Sequence, residues 1–377
     1  MKTLYLHIGL PKTGSTAIQR FCFFNKDILA SNGYCYDMIM KSTTRVPSYV
    51  NGLFITEKIY DETGKIDLAA STERFQNGLA IVQNQLNEFD KVVISAEPIW
   101  NSLRQKEGWT NLKALHKLCT DNNTTIKIIV YLRSQDEYLS SLWKQRIKNG
   151  YRMKDWNSTK LQPPSSMKID FKPRIDRLKK FFGKENLILR VYDRTNFCGS
   201  DHSIYSDFLD AIGLEKTPDY VVPDFLINTS VDIEYAEIKR ILNNLQGTFQ
   251  KNSPISEFFE RIAVECTQKR IENNMPPSSM FTNEERKQFL DTFAENNELI
   301  RKTYFPDKET LFRETKDDNP CWDKQNEKML DAIILYFGQI AWQQQSEIDA
   351  LKAELKQLKK DVYSESYLGK IKRLFRK

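Results

Sequence analysis

The run IKIIVYL at residues 126–132 constrains this chain more than any other feature. Apart from Lys127 it has no polar alternation, so a strand made from it must be covered on both faces. Comparable apolar runs, each bounded by turn or polar residues, stand at 4–10, 92–95 and 187–192. Segments of helical period lie between them: 16–30, 73–88 with Leu79, Val82 and Leu86, and 175–182. Strand and helix in alternation predict an α/β fold, a parallel sheet flanked by helices. At 377 residues and 40% hydrophobic, the chain has ample material for that core, which excludes a disordered polymer and a disulfide-stapled miniprotein.

From 231 to 312 the pattern turns helical, and these helices are expected to pack onto the sheet domain, with loops rich in Pro, Ser and Asn at 162–167 and 274–279. Beyond Pro320, Ile334, Phe337, Ala341, Gln344, Ile348, Leu351, Leu355, Leu358 and Val362 recur at spacings of three and four. That is a heptad seam about four repeats long, which predicts a coiled coil and a homo-oligomer; the same spacing also describes one amphipathic helix folded back on its own domain. In residues 364–377 basic side chains alternate with Leu368, Ile371, Leu374 and Phe375. This basic amphipathic tail fits peripheral contact with an anionic membrane and fits a solvated tail equally well. The expected organisation is an α/β domain over 1–320, with 231–315 its mainly helical part, a helix or coiled coil over 321–363, and the tail over 364–377.

The formal net charge is +6, yet residues 364–377 hold five basic side chains against Glu365, which leaves only +2 on the other 363 residues. A protein that grips a nucleic acid backbone needs a basic body, so no nucleic acid partner is expected. Cys22, Cys35, Cys119, Cys198, Cys266 and Cys321 are scattered without a C-x-x-C pair, and His7, His116 and His202 are the only histidines, so no metal site is expected and a reduced cytoplasm is. The opening MKTLYLHIGLPKTG reads as a first strand rather than a signal peptide, and no run of about 18 apolar residues predicts a membrane span.

The first strand runs into GLPKTGST, residues 9–16, and then into a helix. Strand, glycine loop and helix aim backbone N–H groups and a helix N-terminus at an anion, so this is a candidate phosphate site. Gly9 and Gly14 keep the four-residue gap of a Walker loop, but Ser15 stands where its lysine belongs and Lys12 lies inside the loop instead. There Lys12 would stand beside the group being transferred.

The string Pro11, Lys12, Thr13, Gly14, Ser15, Thr16 resembles the 5′-phosphosulfate loop of the PAPS-dependent sulfotransferases, in particular bacterial carbohydrate sulfotransferases. The resemblance extends over about residues 1–315 and is sharp in two segments. It implies that Pro11 to Thr16 bind the donor PAPS (3′-phosphoadenosine 5′-phosphosulfate), that Lys12 stabilises the leaving group at the bridging oxygen, and that no metal is required. A sulfuryl group carries less negative charge than a terminal phosphoryl, which is consistent with a lysine and amides sufficing. The second segment is Arg133, at the end of the 126–132 strand, followed eight residues later by Ser141. In the family such a pair binds the 3′-phosphate; Ser140 takes the role if the helix register differs by one, and Arg133 has Asp136 as a competing partner.

Glu97 follows the strand KVVIS, where ligands of open α/β sheets collect, and is the candidate general base, with the family offering a glutamate in a comparable segment. Closing a turn or pairing with a lysine is the plainer role for it. His7, on the first strand, is a rival base more naturally read as a core histidine, and His116 reads as surface or packing. Trp143, with Lys144, Gln145, Arg146 and Lys148, offers a stacking surface for an anionic glycan or an ordinary solvated helix face. The expected function is sulfuryl transfer from PAPS to a hydroxyl or amine of a carbohydrate acceptor, such as a bacterial surface polysaccharide, in the cytoplasm or at the inner face of the membrane. A P-loop kinase acting on a sugar or nucleotide and a non-catalytic coiled-coil assembly protein are the alternatives.

Overall fold

The computed structural model describes residues 2–40, 49–223, 231–244, 254–323, 325 and 327–374, without the side chains of 327 and 362–374. Five strands form one parallel sheet: β1 (Lys2–His7), β2 (Tyr34–Cys35), β3 (Lys91–Ser95), β4 (Thr124–Leu132) and β5 (Leu187–Val191). Their order is β2-β3-β1-β4-β5. Leu6 is in register with Ile94 of β3 on one side and Ile128 of β4 on the other. The fold is therefore α/β, as the continuous apolar runs predict. The two-residue β2 was not legible, because its pairing supplies only Tyr34 and Cys35.

Helices cover both faces of the sheet. Leu4, Leu6, Val92, Ile94, Ile128 and Val130 point into one layer. They meet α3 (Leu68–Glu88), α5 (Lys106–Asp121), α8 (Lys172–Phe182) and α13 (Ala294–Tyr304) through Val82, Leu86, Leu112, Leu115, Leu178 and Ile300. Alternate positions Tyr5, Val93, Ile129 and Tyr131 face the other layer, against α1 (Ser15–Phe24), α2 (Lys26–Ser31) and α9 (Ile204–Ile212). Each leucine or isoleucine so buried contributes about 2 kcal/mol of transfer free energy, which is why both faces of each strand are apolar.

The helix expected over 16–30 is two helices. Asn25 interrupts it: its Nδ2 donates to the carbonyls of Phe21 and Val221, both at 2.8 Å, and its Oδ1 accepts from Val221 N at 2.7 Å. A short amide side chain that competes for backbone groups ends a helix.

The chain divides into two compact units. The first holds the sheet: residues 1–142, 162–227 and 283–316. The second holds 143–161, 228–282 and 317–377, so residues 231–282 of the expected helical part group with the C-terminal helix and 283–316 with the sheet. In the second unit α10 (Ile233–Asn244) and α11 (Pro254–Glu272) pack against α14 (Glu327–Leu374), a single helix of 48 residues. Met329, Ala332, Tyr336 and Gln339 form the buried face of α14, with the Tyr336 hydroxyl donating to Phe259 O at 2.9 Å. The heptad positions Ile334, Phe337, Ile348, Leu351, Leu355 and Leu358 are exposed. The side chains of 362–377, which carry the expected basic tail, lie outside the described residues. Among the described residues no helix is long and apolar enough to cross a membrane.

Candidate functional site

In the order β2-β3-β1-β4-β5 the chain leaves β1 toward one edge of the sheet and leaves β4 toward the other. The crevice beyond the carboxyl ends of β1 and β4 is the topological switch point, where open α/β sheets bind ligands. The loop 9–16 follows β1, Glu97 follows β3 and Arg133 follows β4, so the three candidate segments share that end of the sheet.

The loop is shaped by left-handed backbone. Gly9, Lys12 and Gly14 have φ of 44°, 68° and 77°. At Gly14 a Cβ would lie 2.3 Å from Ile204 Cδ1 and 2.9 Å from Tyr192 Cε2, so the position admits glycine alone. Gly14 is also the N-cap of α1, and a glycine has no side chain to cap the helix. No acidic residue occupies the first turn either. The first-turn N–H groups and the positive end of the helix are left facing the crevice. Thr13 is buried and its hydroxyl donates to Leu10 O at 2.6 Å, which ties the loop to itself. Ser15 is 2% exposed, and its Oγ has no hydrogen-bond partner among the described residues. A buried unsatisfied hydroxyl costs about 1–3 kcal/mol, which an oxyanion bound in the loop would relieve.

Arg133 joins the two sequence segments. Its Nη1 donates to Lys12 O at 3.0 Å, its Nε donates to Glu137 at 2.9 Å, and its guanidinium lies 5.4 Å from the Tyr192 ring. The competing partner, Asp136, is instead held by Arg286 at 3.1 Å. On α6 (Gln135–Lys148), Ser140 donates its hydroxyl to Asp136 O at 2.7 Å and is thereby used. Ser141 makes no such bond among the described residues and stands one helical turn beyond Glu137, on the face that Arg133 reaches.

Glu97 is the N-cap of α4 (Pro98–Ser102), which starts there because Pro98 is tolerated only in a first turn. Burial pushes the Glu97 carboxyl above its usual range, and the positive charge of Lys12 offsets part of that rise. Its Cα lies 3.0 Å from where a Cβ on Gly9 would stand, so loop and glutamate are in contact.

His7 is fully buried. Its Nδ1 is 2.8 Å from Ser95 Oγ, its ring edges meet Tyr131 and Phe208, and burial drives its pKa down to about 3. It is a neutral core histidine. His116 packs against Phe181 and Phe182. Trp143 is fully buried, edge-on to Trp156 with its Nε1 donating to Lys154 O at 3.0 Å, so it offers no stacking surface to a glycan. Lys148 is likewise engaged, by Glu260 at 3.0 Å.

Sequence reasoning missed Tyr192 and Asn51. Tyr192 ends the β5 segment and walls the loop at Gly14, a contact only tertiary structure creates. Asn51 bonds Val93 O at 2.9 Å and accepts from Ser95 N at 2.8 Å, so its amide continues the edge of β3.

No family model matches the chain. An uncharacterized protein of Archaeoglobus fulgidus is 26% identical over 185 residues, which cover 48% of this chain and 46% of that protein. The match thus spans less than half of that relative's length.

Proposed function

We propose that the chain is a PAPS-dependent sulfotransferase that acts on a carbohydrate hydroxyl or amine. The observation that carries the reading is the Arg133 Nη1 bond to Lys12 O at 3.0 Å. Two segments 121 residues apart, each resembling one phosphate site of that family, meet in a single crevice.

The residues present fit the donor. The capless N-terminus of α1 with the buried Ser15 hydroxyl, and Thr16 beside it, suits the 5′-phosphosulfate end. Two bonds of Arg133 are spent on Glu137 and Lys12, which leaves its Nη2 edge for the 3′-phosphate together with Ser141. The donor supplies an activated sulfuryl group and a leaving nucleoside bisphosphate. Lys12 places its ammonium to neutralise the bridging oxygen as charge develops there. Glu97, raised by burial and adjacent to Lys12, takes the proton as the acceptor oxygen bonds to sulfur. The exposed heptad face of α14 is assigned to a second copy of this chain, because an apolar seam continues beyond the part that packs on α10 and α11.

The test is transfer of radiolabelled sulfate from PAPS to glycans of the producing cell. Lys12→Ala is expected to lower turnover about 10²–10³-fold, with a modest fall in nucleotide affinity, because its main contact strengthens in the transition state. Unchanged turnover removes Lys12 from the mechanism.

A further inference from the structure

On the same unit as the sheet, a cavity of about 580 Å³ lies between the end of α4, the loop 163–170 and the first turns of α8. Arg104, Lys168, Arg174 and Arg177 line it, with Asp170 as the single carboxylate. Asp170 is already engaged: it accepts from Lys172 N at 3.1 Å and from Asn296 Nδ2 at 2.8 Å. None of the four cations has an ion-pair partner among the described residues.

Arg174 is the informative member. Its Nη1 is buried without a hydrogen-bond partner among the described residues, while its guanidinium packs 4.2 Å from the Trp100 ring. Burial, and then the nearby positive charge of Arg104, push its pKa down to about 10. It also stands in the first turn of α8, the positive end of that helix, where the carboxylate of Asp170 is taken up by Lys172 N and Asn296. The Trp100 face offsets part of the cost of burying this cation, and the unpartnered Nη1 leaves a buried donor that an anion would satisfy. Beside it, the exposed Arg177 packs 4.2 Å from the ring of buried Trp109, which holds its guanidinium flat as a planar donor edge.

We propose that this cavity binds an anionic saccharide, the oxyanion of a carboxylated or phosphorylated sugar meeting Arg174 and Arg177. This deepens the sulfotransferase reading by giving the acceptor its class: the cavity's cations call for the anion, and the saccharide rests on that reading. Glu97 caps the helix that ends beside Arg104, seven residues on, about 10 Å away along a helical path.

The test is calorimetry of the full chain with three probes: a tetrasaccharide of galacturonate, glucose 1-phosphate and neutral cellotetraose, at low and at physiological salt. Binding of at least one acidic probe is expected, weakened by salt and absent for cellotetraose. Which acidic probe binds distinguishes carboxylate from phosphate. Arg174→Gln, and Arg177→Gln at an exposed side chain, are expected to weaken that binding about tenfold each. Binding of 3′-phosphoadenosine 5′-phosphate is measured on the same samples and is expected to be unchanged by either variant. Binding of neither acidic probe, equal binding of cellotetraose, or insensitivity to both variants overturns the proposal. Saccharide binding without nucleotide binding keeps the cavity and overturns the donor reading; the reverse overturns the cavity alone.

Discussion

Single side chains carry the sharpest consequences. Ser140 and Ser141 are neighbours, yet only Ser140 donates its hydroxyl to the helix backbone. Ser141→Ala should therefore leave stability unchanged while costing about 1–2 kcal/mol of nucleoside bisphosphate affinity. Ser140→Ala should do neither beyond a few tenths of a kcal/mol, as an i−4 backbone bond is nearly neutral. Titration of both variants checks this, and equal effects would contradict the assignment. His7 gives a pH signature. Its folded pKa of about 3 lies below the unfolded value of about 6.5, so the unfolded chain binds the proton first as pH falls. The stability it supports is complete above about pH 6.5 and is lost as pH drops toward about 3, at about 1.4 kcal/mol per pH unit. His7→Asn should flatten the stability profile between those values by one proton's worth, measured by denaturant unfolding at several pH values; an unchanged slope would contradict neutral burial.

Among elements, α14 has two faces with different fates. Over its first turns Ala332, Tyr336 and Gln339 are buried against its own unit, so part of the folded-back alternative holds. The seam beyond is open, with Leu351 64%, Leu355 53% and Leu358 61% exposed, more apolar surface than a solvated helix keeps. Leu351→Lys combined with Leu355→Lys should turn a dimer into a monomer in sedimentation at micromolar concentration, with nucleotide binding retained. A monomeric wild type would contradict the seam's role. The elements also show what a sequence can disclose. Strands β1, β3, β4 and β5 were legible because burial on both faces writes an unbroken apolar run. The split at Asn25 was not, because it depends on Val221, nearly two hundred residues away. The glycine loop was legible because left-handed backbone needs glycine at Gly9 and Gly14. The cation-lined cavity was invisible, since Arg104, Arg174 and Arg177 meet only after α4 and α8 pack.

For the whole molecule, the parallel order β2-β3-β1-β4-β5 accounts for why residues as distant as Lys12, Glu97 and Arg133 serve one end of the sheet. That order is equally compatible with a nucleotide kinase, so the donor decides the matter. The proposed function gives loop 9–16 and Arg133 the two anionic ends of one adenosine nucleotide. The direct measurement is calorimetry of the wild type and Arg133→Ala with 3′-phosphoadenosine 5′-phosphate in EDTA. The account predicts tight one-to-one binding without a divalent ion, weakened about tenfold or more in the variant through loss of a charge-assisted contact. Absence of that binding contradicts it: ATP bound only with Mg²⁺ then favours the kinase reading, and binding of neither nucleotide favours the assembly-protein reading.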